Sequence, residues 1–280
     1  MIPFLYLGYK YDRPTHNWGD QYFFYDLMKE YLDVKENLKG LEGAVISFEA
    51  NENLAYVEEL NADIAKLKWV MIIITCNENG NDAFKMIRHP NKKIWLQTPH
   101  MENEADYFMP FGYPSEVKVK PKNRIYDWAF MGNDGHIRRN QAIEKMRKMQ
   151  NGYLLTTNQF GSGLERNNYL DIMSQSKFIP CPGGPVTPDT FRIWEALECG
   201  CIPIVDSQSG IVPFGVGYWE KIFGDVLFPI IHDWNSLEDV IKDVDWETEQ
   251  PKIIEWWKNK KQKIKEDFLQ QFNYLQNKNA

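Results

Sequence analysis

Residues 176–205 read SKFIPCPGGPVTPDTFRIWEALECGCIPIV, and their order of element types decides the fold. Residues 178–181 form a short apolar run interrupted by prolines, the pattern of a buried parallel strand that feeds a crossover helix. Cys181-Pro182-Gly183-Gly184-Pro185 then breaks regular structure. Thr187 is a good N-cap, Pro188 suits the first helical position with its fixed φ, and Asp189 adds negative charge where the helix dipole favours it. The spacing therefore predicts a helix from about residue 188. Gly200 is the preferred residue just past a helix end, and residues 201–205 resume as a second apolar strand. The stretch is a strand–helix–strand unit, and an α/β protein with parallel sheets is expected around it.

The chemistry of this unit lies on its helix. Asp189, Arg192 and Glu195 are three residues apart and share a face, while Ile193, Ala196 and Leu197 lie on another. Arg192 and Glu195 sit among residues that favour burial, and an unpaired buried charge costs several kcal/mol, by a rough estimate. Two arrangements satisfy them. They can pair with each other and be structural, or Arg192 can meet a pyrophosphate and Glu195 the ribose hydroxyls of a sugar nucleotide. The second places them at the carboxyl ends of parallel strands, where such folds bind ligands. The backbone N–H groups at the helix start, around Thr187 and Thr190 and beside Gly183 and Gly184, would then join Arg192 in holding the phosphates.

Ser-Lys-Phe-x-x-x-Pro-x-Gly, then Phe191-Arg192-x-x-Glu195-Ala196-Leu197-x-x-Gly200-Cys201-Ile202-Pro203-Ile204, then Val212-Pro213-Phe214 and Tyr218-Trp219, resembles the exostosin-type glycosyltransferases, a family 47-like pattern. The resemblance covers mainly residues 126–235. It implies a GT-B-like fold of two facing Rossmann-like domains, with Arg192 and Glu195 at positions that contact the donor. Thr190 or Thr187 stands where that family has a serine shortly before the arginine. The fucosyltransferases with a related second domain are a weaker match, since they carry a Thr-Glu-Lys run where this chain has Asp189-Thr190-Phe191-Arg192.

With 280 residues, 43% of them apolar and 14% aromatic, the chain can bury two cores of ordinary size. The division expected is an amino-terminal acceptor-side domain over residues 1–118 and a donor domain over 119–280, separated by the proline-bearing, lysine-rich stretch 106–122. A net charge of −7 argues against a general nucleic-acid or anionic-membrane surface. Cys76, Cys181, Cys199 and Cys201 lie in or beside apolar strands without paired metal-ligand spacing, and read as reduced core residues. The start MIPFLYLGYKYDRP shows neither a charged leader nor a small-residue cleavage site, and no run reaches the length of a membrane span. A cytoplasmic protein is expected.

Along the first half, residues 3–9, 43–48, 68–75 and 92–97 read as strands, and WVMIIIT has the continuous apolar run of a sheet centre. The loops after these strands hold four candidates for acceptor contact or general base: His16 and Asp20, Glu78, and His100. In the second half, strands at 126–131, 153–157 and 225–231 and helices at 137–149, 166–175 and 236–244 are expected. A long terminal helix over 251–276 would pack through Ile254, Trp257, Ile264 and Phe268. Arg138 and Arg139 stand in the first turn of the 137–149 helix, where cations oppose the dipole unless an anion is near. One of them is a phosphate candidate, the other reading being two solvated arginines. Asp243-Val-Asp245 reads as a helix end rather than a metal motif.

The function expected is glycosyl transfer from a nucleoside-diphosphate sugar, preferably a UDP-sugar, to a saccharide hydroxyl, with no metal and no cofactor beyond the nucleotide sugar. Arg192 with Arg138 or Arg139 would stabilise the leaving diphosphate. Two other readings stand beside it: a non-catalytic nucleotide-sugar or glycan binder, and a pyruvyl transferase-like or fucosyltransferase-like enzyme. The pyruvyl transferase reading rests on Asn17-Trp18-Gly19-Asp20, which is similar to an early Gly-Asp turn there.

Overall fold

A computed structural model of the protein describes residues 1–7, 21–49, 55–75, 83–97, 105–120, 122–159, 162–209 and 217–278. The chain divides into two compact units, Met1–Ser115 with Lys260–Ala280, and Glu116–Asn259. Among the described residues no helix is long and apolar enough to cross a membrane.

Unit 1 runs β1 (Ile2–Leu7), α1 (Tyr22–Met28), β2 (Leu32–Val34), β3 (Gly43–Glu49), α2 (Ala55–Ile64), β4 (Trp69–Thr75), α3 (Ala83–Met86), β5 (Lys92–Gln97) and β6 (Tyr107–Met109). Its sheet has the order β2-β1-β3-β4-β5-β6, and all its pairings are parallel. The order follows from composition. β4 is buried at every position and β3 at all but its last, so both lie at the centre with covered faces. The edge strands β2 and β6 are three residues each. They are too short to carry a periodic signal, and β6 lies in the stretch expected to be an inter-domain crossing.

Unit 2 runs β7 (Tyr126–Asn133), α4 (Ile137–Met146), β8 (Gly152–Thr157), α5 (Arg166–Ser174), β9 (Ser176–Cys181), α6 (Phe191–Glu198), β10 (Ile202–Asp206), α7 (Tyr218–Phe223), β11 (Ile230–Ile231), α8 (Leu237–Asp243) and the first part, to Asn259, of α9 (Trp246–Lys278). Its five strands are again all parallel, in the order β11-β10-β9-β7-β8. Both sheets thus place the second strand on one side of the first and the remainder on the other. The order reverses between β1 and β3 in unit 1, and between β7 and β9 in unit 2. In open parallel sheets such reversals open a crevice at the carboxyl ends of the strands. The two sheets also share a packing device: Gly43 pairs with Trp69, and Gly152 with Trp128. A Cβ at either glycine would run into the indole, so glycine lets a large ring lie over the neighbouring strand's start.

The strand–helix–strand unit is present as β9, α6 and β10, with one correction. The helix begins at Phe191 rather than near residue 188, and Thr190 is its N-cap. Asp189 does not serve the helix dipole; its buried carboxylate accepts the Trp194 indole N–H at 2.7 Å. The far end matches the expectation in detail. Gly200 adopts φ 71°, its N–H donates to Leu197 O at 3.1 Å, and Cys201 N–H donates to Ala196 O at 2.8 Å. That pair of bonds is a Schellman closure.

Trp194 carries this helix into the unit 2 core, 4.8 Å from the Trp257 ring and 5.1 Å from Phe223. The terminal helix starts at Trp246, ahead of Pro251, and Ile253 rather than Ile254 joins Trp257 in the core. Its residues from Lys260 onward belong to unit 1. There Phe268 meets Phe24 and Trp95, and Gln271 accepts the Trp95 N–H at 2.9 Å. Asp243 ends α8, while Asp245 accepts the Thr248 hydroxyl at the start of α9. Of the strand expected at 225–231, only Ile230–Ile231 pairs. Cys181, Cys199 and Cys201 are buried free thiols, and burial raises the pKa of each. Cys76 lies outside the described residues.

Candidate functional site

A cavity of about 500 Å3 opens in unit 2 at the carboxyl ends of β7 and β8. Its walls are Met131, Gly132 and Asn133 from β7, Leu155 and Thr157 from β8, the starts of α5 and α6, and Arg139 from α4. Three arginines, 139, 166 and 192, line it against two glutamates, 165 and 195. The excess of cation suits a polyanionic ligand.

Arg192 stands in the first turn of α6. Its guanidinium lies over the Phe130 ring at 4.5 Å, and Nη2 donates to Met131 O at 3.0 Å. Gly132 makes this possible, since a Cβ there would occupy the place of Nη2. Nε and Nη1 are buried and have no partner among the described residues. Beside them the Thr190 hydroxyl, on a residue only 8% exposed, likewise has none. A buried unsatisfied donor costs ~1–3 kcal/mol, more when charged. An oxyanion in the cavity would remove that cost, and the start of α6 adds dipole and backbone N–H groups in its favour.

Glu195, one turn further along α6, is 3% exposed. Among the described residues no ion pair joins it to Arg192. Instead Arg166 Nη1 donates to Oε1, and Tyr169 OH donates to Oε2 at 2.8 Å. The internal Arg192–Glu195 pair is thereby excluded, because each of the two charges has its own environment. Arg166 and Tyr169 were not singled out from sequence. Their signal is a three-residue spacing on α5, and it acquires meaning only once α5 is known to lie against α6.

The two adjacent arginines of α4 part company. Arg138 points away from the cavity and forks onto Asp206, with Nε to Oδ2 at 3.0 Å and Nη2 to Oδ1, and Nη2 also donates to His232 O at 3.0 Å. Asp206 is fully buried and further accepts from Trp234 Nε1 at 2.9 Å and Gln208 N at 3.1 Å. It is the anchor of this sheet edge. Arg139 faces the cavity and donates to Asn133 Oδ1.

Gly183, Gly184 and Thr187 are not in the cavity wall. Gly183 packs against the Gln208 carbonyl so closely that a Cβ would collide with it, and its N–H points at Asp206 Oδ2, 3.4 Å away. Gly184 lies against the carbonyls of Thr187 and Asp189, and Thr187 is buried. His136, the N-cap of α4, has its pKa lowered to about 4 by burial and by Arg139, partly offset by the Gly183 backbone and Asp206. It is neutral at physiological pH and adds no charge beside Arg139. The four base candidates of the first half, His16, Asp20, Glu78 and His100, lie outside the described residues, as does Gly161.

Residues 119–275 match the family described as RXYLT1 C-terminal domain. An Arabidopsis thaliana protein named "Probable glycosyltransferase" is 25% identical over 160 residues, which cover 56% of this chain and 31% of that protein. The chain thus spans less than a third of that relative's length. All the cavity's walls fall within residues 119–275.

Proposed function

The chain belongs to the RXYLT1 C-terminal domain family, and from that premise we propose that it is a glycosyltransferase of exostosin-like type whose second unit binds a nucleoside-diphosphate sugar. A UDP-sugar is the preferred donor and a saccharide hydroxyl the acceptor. The observation that carries the reading is the pairing of unsatisfied donors at one place. Arg192 Nε and Nη1 and the Thr190 hydroxyl are buried without partners among the described residues, beside a cavity of about 500 Å3, large enough for a nucleotide.

In this reading the diphosphate lies at the start of α6, between Arg192 and Arg139. Fixed cations there stabilise the charge that develops on the leaving diphosphate, and no metal is needed for that task. Glu195 turns toward the ribose. Thr157 and Leu155 at the end of β8 edge the base.

A thermal-shift screen of UDP, GDP and their sugars tests the donor site. A ligand at ~100 times its Kd stabilises by about 2.7 kcal/mol, which for a protein of this size moves the midpoint by roughly 5–10 °C. The expected result is a shift with UDP and UDP-sugars, followed by sugar release or transfer in the presence of acceptor. No shift with any nucleotide would overturn the donor-site reading. A shift with no hydrolysis or transfer would favour the non-catalytic binder.

A further inference from the structure

Glu195 faces the cavity with its carboxylate held at both oxygens from one neighbouring helix. Arg166 and Tyr169 stand three residues apart on α5, and they reach Oε1 and Oε2 respectively. The Arg166 guanidinium also lies 5.8 Å from the Tyr169 ring, which ties the two donors together. A carboxylate gripped at one oxygen can still swing about its last torsion; gripped at both, it cannot. A carboxylate has about four acceptor positions, so two remain after these bonds, in directions that the grip determines. Burial and the Glu195 charge raise the Tyr169 pKa well above the ordinary phenol value, so this hydroxyl stays a donor throughout the physiological range.

Two fixed acceptor positions on one carboxylate match two hydroxyls on adjacent carbons. We propose that Arg166 and Tyr169 are positioning residues that set Glu195 to read the 2′,3′-diol of the donor's ribose, so that α5 selects ribonucleotides over deoxyribonucleotides. This rests on the donor-site reading given above. The contribution of α5 is indirect: neither residue needs to touch the ribose, and loss of either leaves Glu195 present but free to turn. A purely structural Arg166–Glu195–Tyr169 cluster would instead affect every ligand of the cavity alike.

The test is calorimetric binding of three probes, UDP, 2′-deoxy-UDP and inorganic pyrophosphate, to the full chain and to Tyr169→Phe, Arg166→Lys and Glu195→Gln. Tyr169→Phe keeps the ring and removes one O–H; Arg166→Lys keeps the charge and removes the planar fork. The wild type is expected to prefer UDP over 2′-deoxy-UDP by roughly tenfold or more, the size of one hydrogen bond to a charged group. Tyr169→Phe should shrink that preference several-fold and leave pyrophosphate affinity within about twofold. Glu195→Gln should abolish the preference, and adding Tyr169→Phe to it should change nothing further, as for residues acting through one another.

Should Tyr169→Phe fail to fold, Arg166→Lys gives the same reading through the other oxygen. An unchanged UDP preference in a folded variant overturns the inference, as do equal losses for all three probes or a wild type that does not discriminate. A wild type that binds neither UDP nor pyrophosphate removes the donor site itself. Binding of both with an undisturbed preference removes only the role of α5.

Discussion

Arg124 and Arg192 are half-buried arginines of the same unit, set at opposite edges of one sheet. Arg124 lies at the amino ends of β7, β9 and β10. Its Nη1 and Nη2 donate to the carbonyls of Ser174, Ser176, Cys199 and Gly200 at 2.6–2.9 Å and to the Cys201 thiol at 3.3 Å. It closes the ends of α5 and α6, where helix dipoles favour a cation. Arg192, at the carboxyl edge, makes one hydrogen bond and leaves two of its nitrogens without a partner among the described residues. Both terminal nitrogens of the side chain are therefore engaged at one edge, and only one of them at the other. An arginine whose terminal nitrogens are spread over four carbonyls contributes stability; one held in place by a ring face and a single carbonyl is available to a ligand.

Arg124→Ala has the largest expected effect on stability. Removing a cation from four carbonyls, three of them at the ends of two helices, should cost about 3 kcal/mol, read from the urea midpoint, while the fraction that remains folded keeps its nucleotide affinity. A loss of affinity without a loss of stability would reverse the roles of the two edges. Gly132→Ala is next. Its Cβ displaces only the tip of a flexible side chain, so stability should change little, but Arg192 moves and UDP affinity should fall roughly tenfold. The smallest effect belongs to Thr190→Val. Deleting a buried hydroxyl that has no partner among the described residues should leave stability unchanged or raise it by ~0.5–1 kcal/mol, while UDP affinity falls roughly fivefold, since a phosphate loses a donor. A clear destabilisation would show that the hydroxyl is already in structural use.

Much of this arrangement is legible in the chain itself. WVMIIIT is a central strand because seven consecutive positions are buried, and Gly200 ends α6 because the closure requires a positive φ. What could not be read is long-range. The start of α6 was displaced because Asp189 is engaged by an indole from the helix it precedes. The partner of Glu195 is not the arginine one turn away but Arg166, 29 residues earlier, and no spacing rule within one helix reveals it. Arg138 and Arg139 were equivalent candidates; adjacent residues on a helix point about 100° apart, and only Asp206, brought in by β10, fixes which one faces the cavity. The three-residue strands β2 and β6 form because a neighbouring strand offers an edge, and their own residues do not announce them.

The account stands or falls on Arg192. Calorimetric titration of UDP into the wild type and Arg192→Ala, with a urea midpoint for each, should show affinity falling by about a hundredfold while the midpoint barely moves, the inverse of Arg124→Ala. Undiminished affinity, or a loss of stability comparable to that of Arg124→Ala, would show that both arginines are structural and that the cavity is not the donor site.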